Sequence, residues 1–278
     1  MKRAGRISIA LIAAIMFTGC GGQGQPQQQD QATQVQGEQT ADSDALQNTA
    51  ESEAAKVSNT EFVEAIGECL EARWAITDPY NAAGEAIPNE EFRRAINIEI
   101  DAVLPYEEAE FEDENMAAAA EEYIAAMKEC QGILNYIGTD QWQAQYDQKV
   151  FRKRVAGLYK INSIEPIPVD PSNQSSLAGL LSEGETTEAV WDIMDSVHFE
   201  VESEEYSFKK YSAVVENASN ITFSNFSIDV SLIDADGVVV DTVTCWTDNW
   251  AAGTKHRLEF STDKEFETIE IPTASWSV

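Results

Sequence analysis

Apolar residues recur at spacings of three and four over residues 59–162, which places them on one face of successive α-helices. The pattern predicts a first helix at the start of this region, a second over 89–104, a third over 113–137 and a fourth over about 139–160. Four amphipathic helices joined by modest links indicate a small four-helix bundle. The stripes of the first three helices are Phe62, Ile66, Cys69, Leu70 and Trp74; Phe92, Ile96, Ile100 and Val103; and Met116, Ala120, Tyr123, Met127, Cys130, Leu134 and Ile137.

The helical period stops at a proline-rich segment. Pro166, Pro168 and Pro171 lie close together, and polar residues follow them. Proline lacks the amide hydrogen that a helix interior needs, so three of them in six residues interrupt a helix. We therefore predict a linker over 163–197 that ends in a short helix from Thr187 to Ser196.

From His198 onward, apolar and polar residues alternate with the period of a half-buried β-strand, most clearly from Phe226 to Leu232. The sequence Asp-Ala-Asp-Gly over 234–237 predicts a hairpin turn in which the glycine takes the positive φ. Six or seven short antiparallel strands in residues 198–278 indicate a β-sandwich. The predicted fold class is α+β in separate domains, with an N-terminal four-helix bundle followed by a C-terminal antiparallel sandwich.

The predicted sandwich also resembles a known family, the FxLYD domain. Leu232 and Asp234 match the motif that gives the family its name, whereas Val230 stands in place of Phe and Ile233 in place of Tyr. The resemblance rests as well on the surrounding strand pattern and covers about residues 198–272. It implies an immunoglobulin-like fold found on many bacterial lipoproteins and cell-surface proteins. The family has no established catalytic residues, so the resemblance implies no catalytic site.

The N-terminus predicts export and membrane anchoring. A basic leader precedes the apolar run Ile7–Phe17, which is shorter than the roughly 20 residues that cross a bilayer. The following Thr18-Gly19-Cys20 looks like the lipobox of bacterial lipoproteins, which implies cleavage before Cys20 and lipidation of its thiol. We therefore expect residues 1–19 to be a signal peptide and the protein to stand on the extracytoplasmic face of the cell membrane. An ordinary secretion signal with a chance cysteine is the alternative.

Residues 20–58 contain the lipidation cysteine and a Gln-rich tether that is rich in Gly, Ser, Thr and Asp. Such a segment buries too little apolar surface to offset the entropy of ordering it, so we predict disorder. The predicted organisation continues with a helical domain over 59–162, the linker over 163–197 and the FxLYD-like domain over 198–278.

The chain is strongly acidic, with 49 Asp and Glu residues against 18 Lys and Arg residues. Removal of residues 1–19 takes away three basic residues, and the remaining 15 leave a net charge of −34. That charge repels nucleic acid, which we exclude as a partner. The dense acidic run from Glu107 to Glu114 is either a solvated loop, a cation site or a docking patch for a basic partner.

Candidate chemistry is sparse. The two histidines, His198 and His256, stand alone near predicted strand ends, and neither a Ser-His-Asp set nor a phosphate loop can be assembled. We expect no catalytic residue, no metal site and no cofactor. Trp246, Trp250 and Trp276 either stack on sugar rings of a glycan or fill the core of a small sandwich.

The predicted function is that of a non-catalytic, membrane-anchored surface lipoprotein that binds an envelope or extracellular protein or glycan. The alternative is an envelope hydrolase that uses paired carboxylates. The ligand-binding residues are not identifiable from the sequence.

We also predict a disulfide between Cys69 and Cys130. With Cys20 committed to lipid, three thiols remain, and the compartment outside the membrane permits disulfides. Cys69 and Cys130 lie on stripes that face one bundle core, whereas the strand position of Cys245 predicts a buried free thiol. The alternative is two ordinary buried cysteines that never pair.

Overall fold

The structure is a computed structural model that describes residues 56–278, apart from the side chains of residues 147 and 148. The predicted signal peptide, the lipidation site at Cys20 and almost all of the predicted tether lie outside the described residues. Within residues 56–278, no helix combines the length and the apolar character needed to cross a membrane.

The first part of the described chain is helical, over residues 59–196. A π-helical segment, Tyr146–Phe151, joins the fourth α-helix to the fifth. Side-chain caps start several helices, as where the Ser58 hydroxyl accepts a hydrogen bond from the Glu61 amide at 3.1 Å. The α-helices are α1 (Asn59–Ala83), α2 (Asn89–Val103), α3 (Glu114–Ile133), α4 (Asp140–Gln145), α5 (Arg152–Ile164) and α6 (Gln174–Ser196).

The apolar stripes predicted for the first three helices form one core. Every predicted residue of the α1 stripe is buried, and so are the α3 residues from Met116 to Cys130 that the period selected. In α2, Phe92 is only half-buried, because it lies in the first turn of the helix. The spacing rule therefore identified both the helices and the faces they bury.

The predicted fourth helix and the predicted linker both differ from the structure. The fourth helix is divided into α4, the π segment and α5, and residues 163–197 hold a helix of 23 residues, α6, in place of a linker with a short helix. Pro171 does not break α6, because it begins a 3₁₀ turn where no helical amide is needed. Gly184 lets α6 approach α5 closely, since a Cβ there would lie 2.2 Å from the Val155 carbonyl oxygen.

The second part of the chain consists of two three-stranded antiparallel sheets, with strand orders β1-β2-β5 and β4-β3-β6. The turn over 234–237 is the predicted hairpin, with Gly237 at φ 78°. The two sheets bury their facing residues in a second core, which α6 joins through Ala189, Val190 and Ile193. The strands are β1 (Glu200–Glu205), β2 (Phe208–Glu216), β3 (Phe223–Ile233), β4 (Val239–Trp250), β5 (Lys255–Thr262) and β6 (Thr268–Ser277).

Asn217 connects the two sheets at one end. Its side-chain amide donates to the carbonyl oxygens of Ile221 at 2.7 Å and Trp250 at 3.3 Å. Its side-chain oxygen accepts from the amide and the hydroxyl of Ser219. Asn217 directly follows β2 and Trp250 ends β4, so a single buried side chain holds strand ends from different sheets together.

The chain is thus α+β in class, with helices first and antiparallel sheets after them. The helix α6 belongs to both cores: Leu177 in its first half packs in the helical core, and Val190 in its second half packs beneath the sheets.

Candidate functional site

A groove of about 880 Å³ lies between the helical part of the chain and the last strand, β6. Residues of α3 to α6 and of β6 build its walls, so the groove exists only because the helices and the sheets pack against each other. The lining includes Lys149, Arg152 and Lys153 from the π segment and the start of α5, Trp191 and Met194 from α6, and residues 272–275 of β6.

The π-helical segment forms one wall of this groove. Trp142 and Tyr146 stack with ring centroids 4.7 Å apart, and both are buried, as is Val150 one turn later. Lys149, next to Val150, stays exposed. Isolated π turns are common at functional sites in helices, and this one carries both an apolar and a cationic residue of the groove.

Arg152 is the residue that ties the groove to the sheet. Its guanidinium carbon lies 3.9 Å from the centroid of the Trp276 ring, a cation–π contact. Its Nη1 donates to the carbonyl oxygen of Ala274 at 3.0 Å. Burial lowers the pKa of Arg152 below its usual value, but a guanidinium stays charged at physiological pH. The groove therefore holds a half-buried positive charge in a fixed position.

Two of the three cations that line this groove differ from the third in their ion pairing. Lys153 pairs with Glu129 at 2.6 Å, but Lys149 and Arg152 form no ion pair with any acidic side chain that the structure describes. Acidic residues outnumber basic ones by 49 to 18, so an internal partner for each cation is easy to supply. Among the described side chains that line the groove, three cations face one acid, Glu129, so the lining carries a net positive charge in a negative chain.

A buried ionic network lies in the helical core and includes Arg154, two residues after Arg152. The Glu99 carboxylate accepts hydrogen bonds from Arg73, Arg154 and the Tyr123 hydroxyl, the last at 2.5 Å. A second contact joins Arg154 Nη2 to Glu99 Oε2 at 3.0 Å. The network links α1, α2, α3 and α5, and it fixes the helix that presents Arg152 to the groove.

Burial and charge act in opposite directions on Glu99. Burial favours the neutral acid, but the adjacent guanidiniums of Arg154 and Arg73 outweigh it and lower the pKa of Glu99 to about 2. The Glu99 side chain has no exposed surface and that of Arg154 is 2% exposed. We therefore assign this network to the stability of the core.

Sequence reasoning missed this network, although a signal for it was present. Glu99 lies three residues after Ile96 and four before Val103, which is a position on the apolar stripe of α2. Arg154 likewise lies four residues after the buried Val150 and four before the buried Leu158. A charge at a stripe position predicts a buried partner, but a single Glu does not stand out in so acidic a chain.

The structure places Cys69 and Cys130 in the same core, as predicted, but as free thiols. The predicted disulfide between them is therefore corrected to two buried cysteines. The Cys69 thiol turns back along its own helix and donates to the Ile66 carbonyl at 3.1 Å. Burial and the nearby Glu99 carboxylate raise the pKa of Cys130 to about 12, which keeps it in the unreactive thiol form. Cys245 is a buried free thiol, as its strand position predicted.

The three tryptophans do not share one surface. Trp246 of β4 lies opposite Ser227 of β3 and is 68% exposed. Trp276 of β6 lies opposite Phe226 of β3. Because neighbouring strand residues point to opposite faces, Trp276 faces the other side of the sheet from Trp246. Trp250 is fully buried in the core. Only Trp276 lies beside the groove, under Arg152.

The two histidines differ in their surroundings. His198 is exposed. His256 is half-buried, where its Nδ1 hydrogen-bonds the Thr247 hydroxyl and its ring lies 5.4 Å from that of Trp250. Both positions are those of surface and packing residues.

The acidic run from Glu107 to Glu114 is mostly surface loop. Glu107 pairs with Lys128, and the Asp113 carboxylate caps α3 by accepting from the Asn115 amide at 2.8 Å. Within residues 56–278, no group of three potential ligands could hold a metal ion.

Paired carboxylates, which the hydrolase alternative requires, occur at Glu122 and Glu188. Both contact the same ammonium, Lys160, at 2.7 Å and 3.1 Å. Burial raises the pKa of Glu188, while Lys160 opposes that shift. The shared lysine makes the pair an ion-pair cluster between α3, α5 and α6.

Comparison with known proteins identifies no relative. No protein-family model and no curated protein matches this chain. One solved structure, described as the structural characterization of IrmA from Escherichia coli, is similar over 28% of this chain and 72% of that chain, at 16% identity and a TM-score of 0.26. A TM-score that low supports no argument about fold or function.

Proposed function

We propose that this protein is a non-catalytic lipoprotein, anchored through Cys20 on the outer side of the cell membrane, that binds an envelope or extracellular component in the groove beside Arg152. The observation that carries the proposal is the half-buried guanidinium of Arg152, which lines the groove beside the exposed Lys149 and contacts a carbonyl oxygen and an aromatic ring among the described residues. In a chain this acidic, an anionic group from outside is the natural partner for such a pair.

We further propose a four-helix bundle and an immunoglobulin-like sandwich of the FxLYD type. The divided helix of α4, the π segment and α5 serves as the fourth member of the bundle. The motif positions support the sandwich, since Val230 and Leu232 are fully buried in the core. The Asp234 carboxylate accepts from the amides of Asp236 and Val238 at 3.0 and 2.9 Å, which explains an aspartate at the end of the motif.

Two experiments on the full-length protein test this function. Membrane fractionation with labelled palmitate should find label and membrane association in the wild type, and neither in Cys20→Ala. Co-sedimentation with the insoluble envelope of the same cells should then be lost in the double variant Lys149→Gln, Arg152→Gln. The matched control, Lys209→Gln with Lys264→Gln, removes the same charge from β2 and from the loop between β5 and β6, and it should co-sediment as the wild type does.

Membrane association that is unchanged in a correctly processed Cys20→Ala variant would contradict the anchor. Co-sedimentation that survives in the groove variant would contradict the groove as binding surface. Hydrolytic turnover of an envelope substrate that is lost on Glu122→Gln or Glu188→Gln would favour the hydrolase alternative instead.

A further inference from the structure

The geometry points to a ligand class for this groove: oligosaccharides whose sugars carry carboxylates. This inference rests on the proposed function, because it names the chemistry of the component that the groove binds. It combines three features of the groove, which are its charge, its strand edge and its size.

The charge argument concerns Arg152. A half-buried guanidinium has lost part of its hydration and gains most from a partner of opposite charge. Its Nη1 contacts the Ala274 carbonyl, and its flat face covers Trp276, so the side chain is fixed in advance. The remaining donors of the fork match the two oxygens of a carboxylate. Lys149, exposed on the same wall, supplies a second point charge for a repeating acid.

The strand edge argues against an acidic peptide. β6 is an edge strand of its sheet, where an extended peptide would normally add as a further strand. Pro272 has no amide hydrogen to offer such a peptide. Arg152 already occupies the carbonyl oxygen of Ala274. An added strand would therefore lack a hydrogen bond at Pro272 and share the acceptor at Ala274 with Arg152, which favours recognition by side chains.

The size and lining fit a short sugar chain. A volume of about 880 Å³ lies within the range of roughly 300–1,000 Å³ that holds small ligands. Trp191 offers an aromatic ring to the apolar face of a sugar. Thr273 and Ser275 also line the groove, from the exposed face of β6 that alternates with Ala274 and Trp276.

The test is a titration of the full-length protein in detergent with two matched pairs of probes. Trigalacturonate is compared with maltotriose, and sialyllactose with lactose, by calorimetry at low and at physiological salt. We expect saturable binding of at least one acidic sugar, and weaker binding of its neutral partner by about tenfold or more. Arg152→Gln should weaken binding of the acidic sugar by about tenfold or more. Arg152→Lys should weaken it by less, because lysine keeps the positive charge but lacks the two parallel N–H donors of the guanidinium.

Lys149→Gln guards against a folding artefact, because Lys149 is exposed and its loss leaves the core unchanged. It should weaken binding of the acidic sugar several-fold, while Lys209→Gln with Lys264→Gln should leave that binding unchanged. The inference is overturned if neither acidic sugar binds, if the neutral partners bind as well, or if hexaglutamate binds more tightly than both acidic sugars.

Failure here can be told apart from failure of the proposed function. One outcome is envelope co-sedimentation that depends on Lys149 and Arg152 and yet is abolished when the envelope is treated with protease. That result would support the binding function with a protein as the ligand, and it would contradict the acidic oligosaccharide as the ligand. Co-sedimentation that is independent of the two cations would remove the proposed binding surface itself.

Discussion

Arg152 lies over the ring of Trp276 at 3.9 Å, and through this contact helix α5 holds the last strand of the chain. Two residues further along the same helix, Arg154 points the other way and binds Glu99 in the helical core. Positions two apart lie on opposite sides of an α-helix, so one short stretch serves both the groove and the core. The core network is thus the support on which the groove's position depends.

Replacing Glu99 with Gln should destabilise the protein strongly. The change leaves Arg73 and Arg154 buried without a counter-charge, and loss of one partner of a buried ion pair costs about 3–5 kcal/mol. Urea unfolding of the full-length protein, followed by the far-ultraviolet circular dichroism of the helices, measures this cost. The exposed Glu90 on the same helix is the matched control, and Glu90→Gln should stay within about 0.5 kcal/mol of the wild type. Equal effects of the two substitutions would contradict the role of the network.

The same residue predicts how stability depends on pH. The pKa of Glu99 is about 2 in the folded protein against a usual value of 4.5, so the folded state prefers the ionised form. The stabilisation is fully present above about pH 4.5 and is lost as the pH falls towards 2. Unfolding midpoints between pH 6 and pH 2, measured in about half-unit steps, should show the wild type and Glu99→Gln converging as the pH falls. A constant difference between them across this range would be inconsistent with the ion pairs.

The cysteines should behave as three free thiols. Burial raises the pKa of Cys130 to about 12 and that of Cys245 to about 11, and it also raises that of Cys69. Alkylation of the native Cys20→Ala protein at neutral pH should therefore be slow. Intact mass after alkylation in denaturant, without reductant, should show three modified residues. A single modified residue would mean that Cys69 and Cys130 are joined after all.

Asn217→Ala should loosen the sandwich at one end. The substitution leaves the carbonyl oxygens of Ile221 and Trp250 without their donor, and buried groups left unpaired cost about 1–3 kcal/mol. The neighbouring Asn220 is exposed, so Asn220→Ala is the control and should change little. Thermal unfolding followed by tryptophan fluorescence checks this prediction, since Trp250 is buried beside the bond. An unchanged melting temperature in Asn217→Ala would show that the bond does not hold the sheets.

The sequence predicted the elements whose period is regular. The stripes of α1 and α3 and the alternation of β3 follow directly from spacing, and the turn at Gly237 from its residue types. The first half of helix α6 was not predicted, because prolines precede the helix and the middle of its buried face consists of Gly184, Thr186 and Thr187. Small and hydroxyl side chains give no apolar stripe, although they allow close packing against α5.

The groove could not be predicted from the sequence at all. Arg152 and Ala274 are 122 positions apart, and their contact depends on how the helices pack against the sheets. Neither local propensity nor periodicity carries that information. The acid-poor stretch from Lys149 to Arg154 is visible in the sequence, but only the packing of the helices on the sheets places Lys149 and Arg152 in one groove.

Amide hydrogen–deuterium exchange of the full-length protein, alone and bound to its own envelope preparation, tests the binding surface most directly. We predict that binding slows exchange in three segments that line the groove, over 149–153, 191–194 and 272–275, and leaves the rest of the chain unchanged. Protection confined to the exposed Trp246 face of β4, or to the acidic run 107–114, with no change in the groove segments, would contradict it.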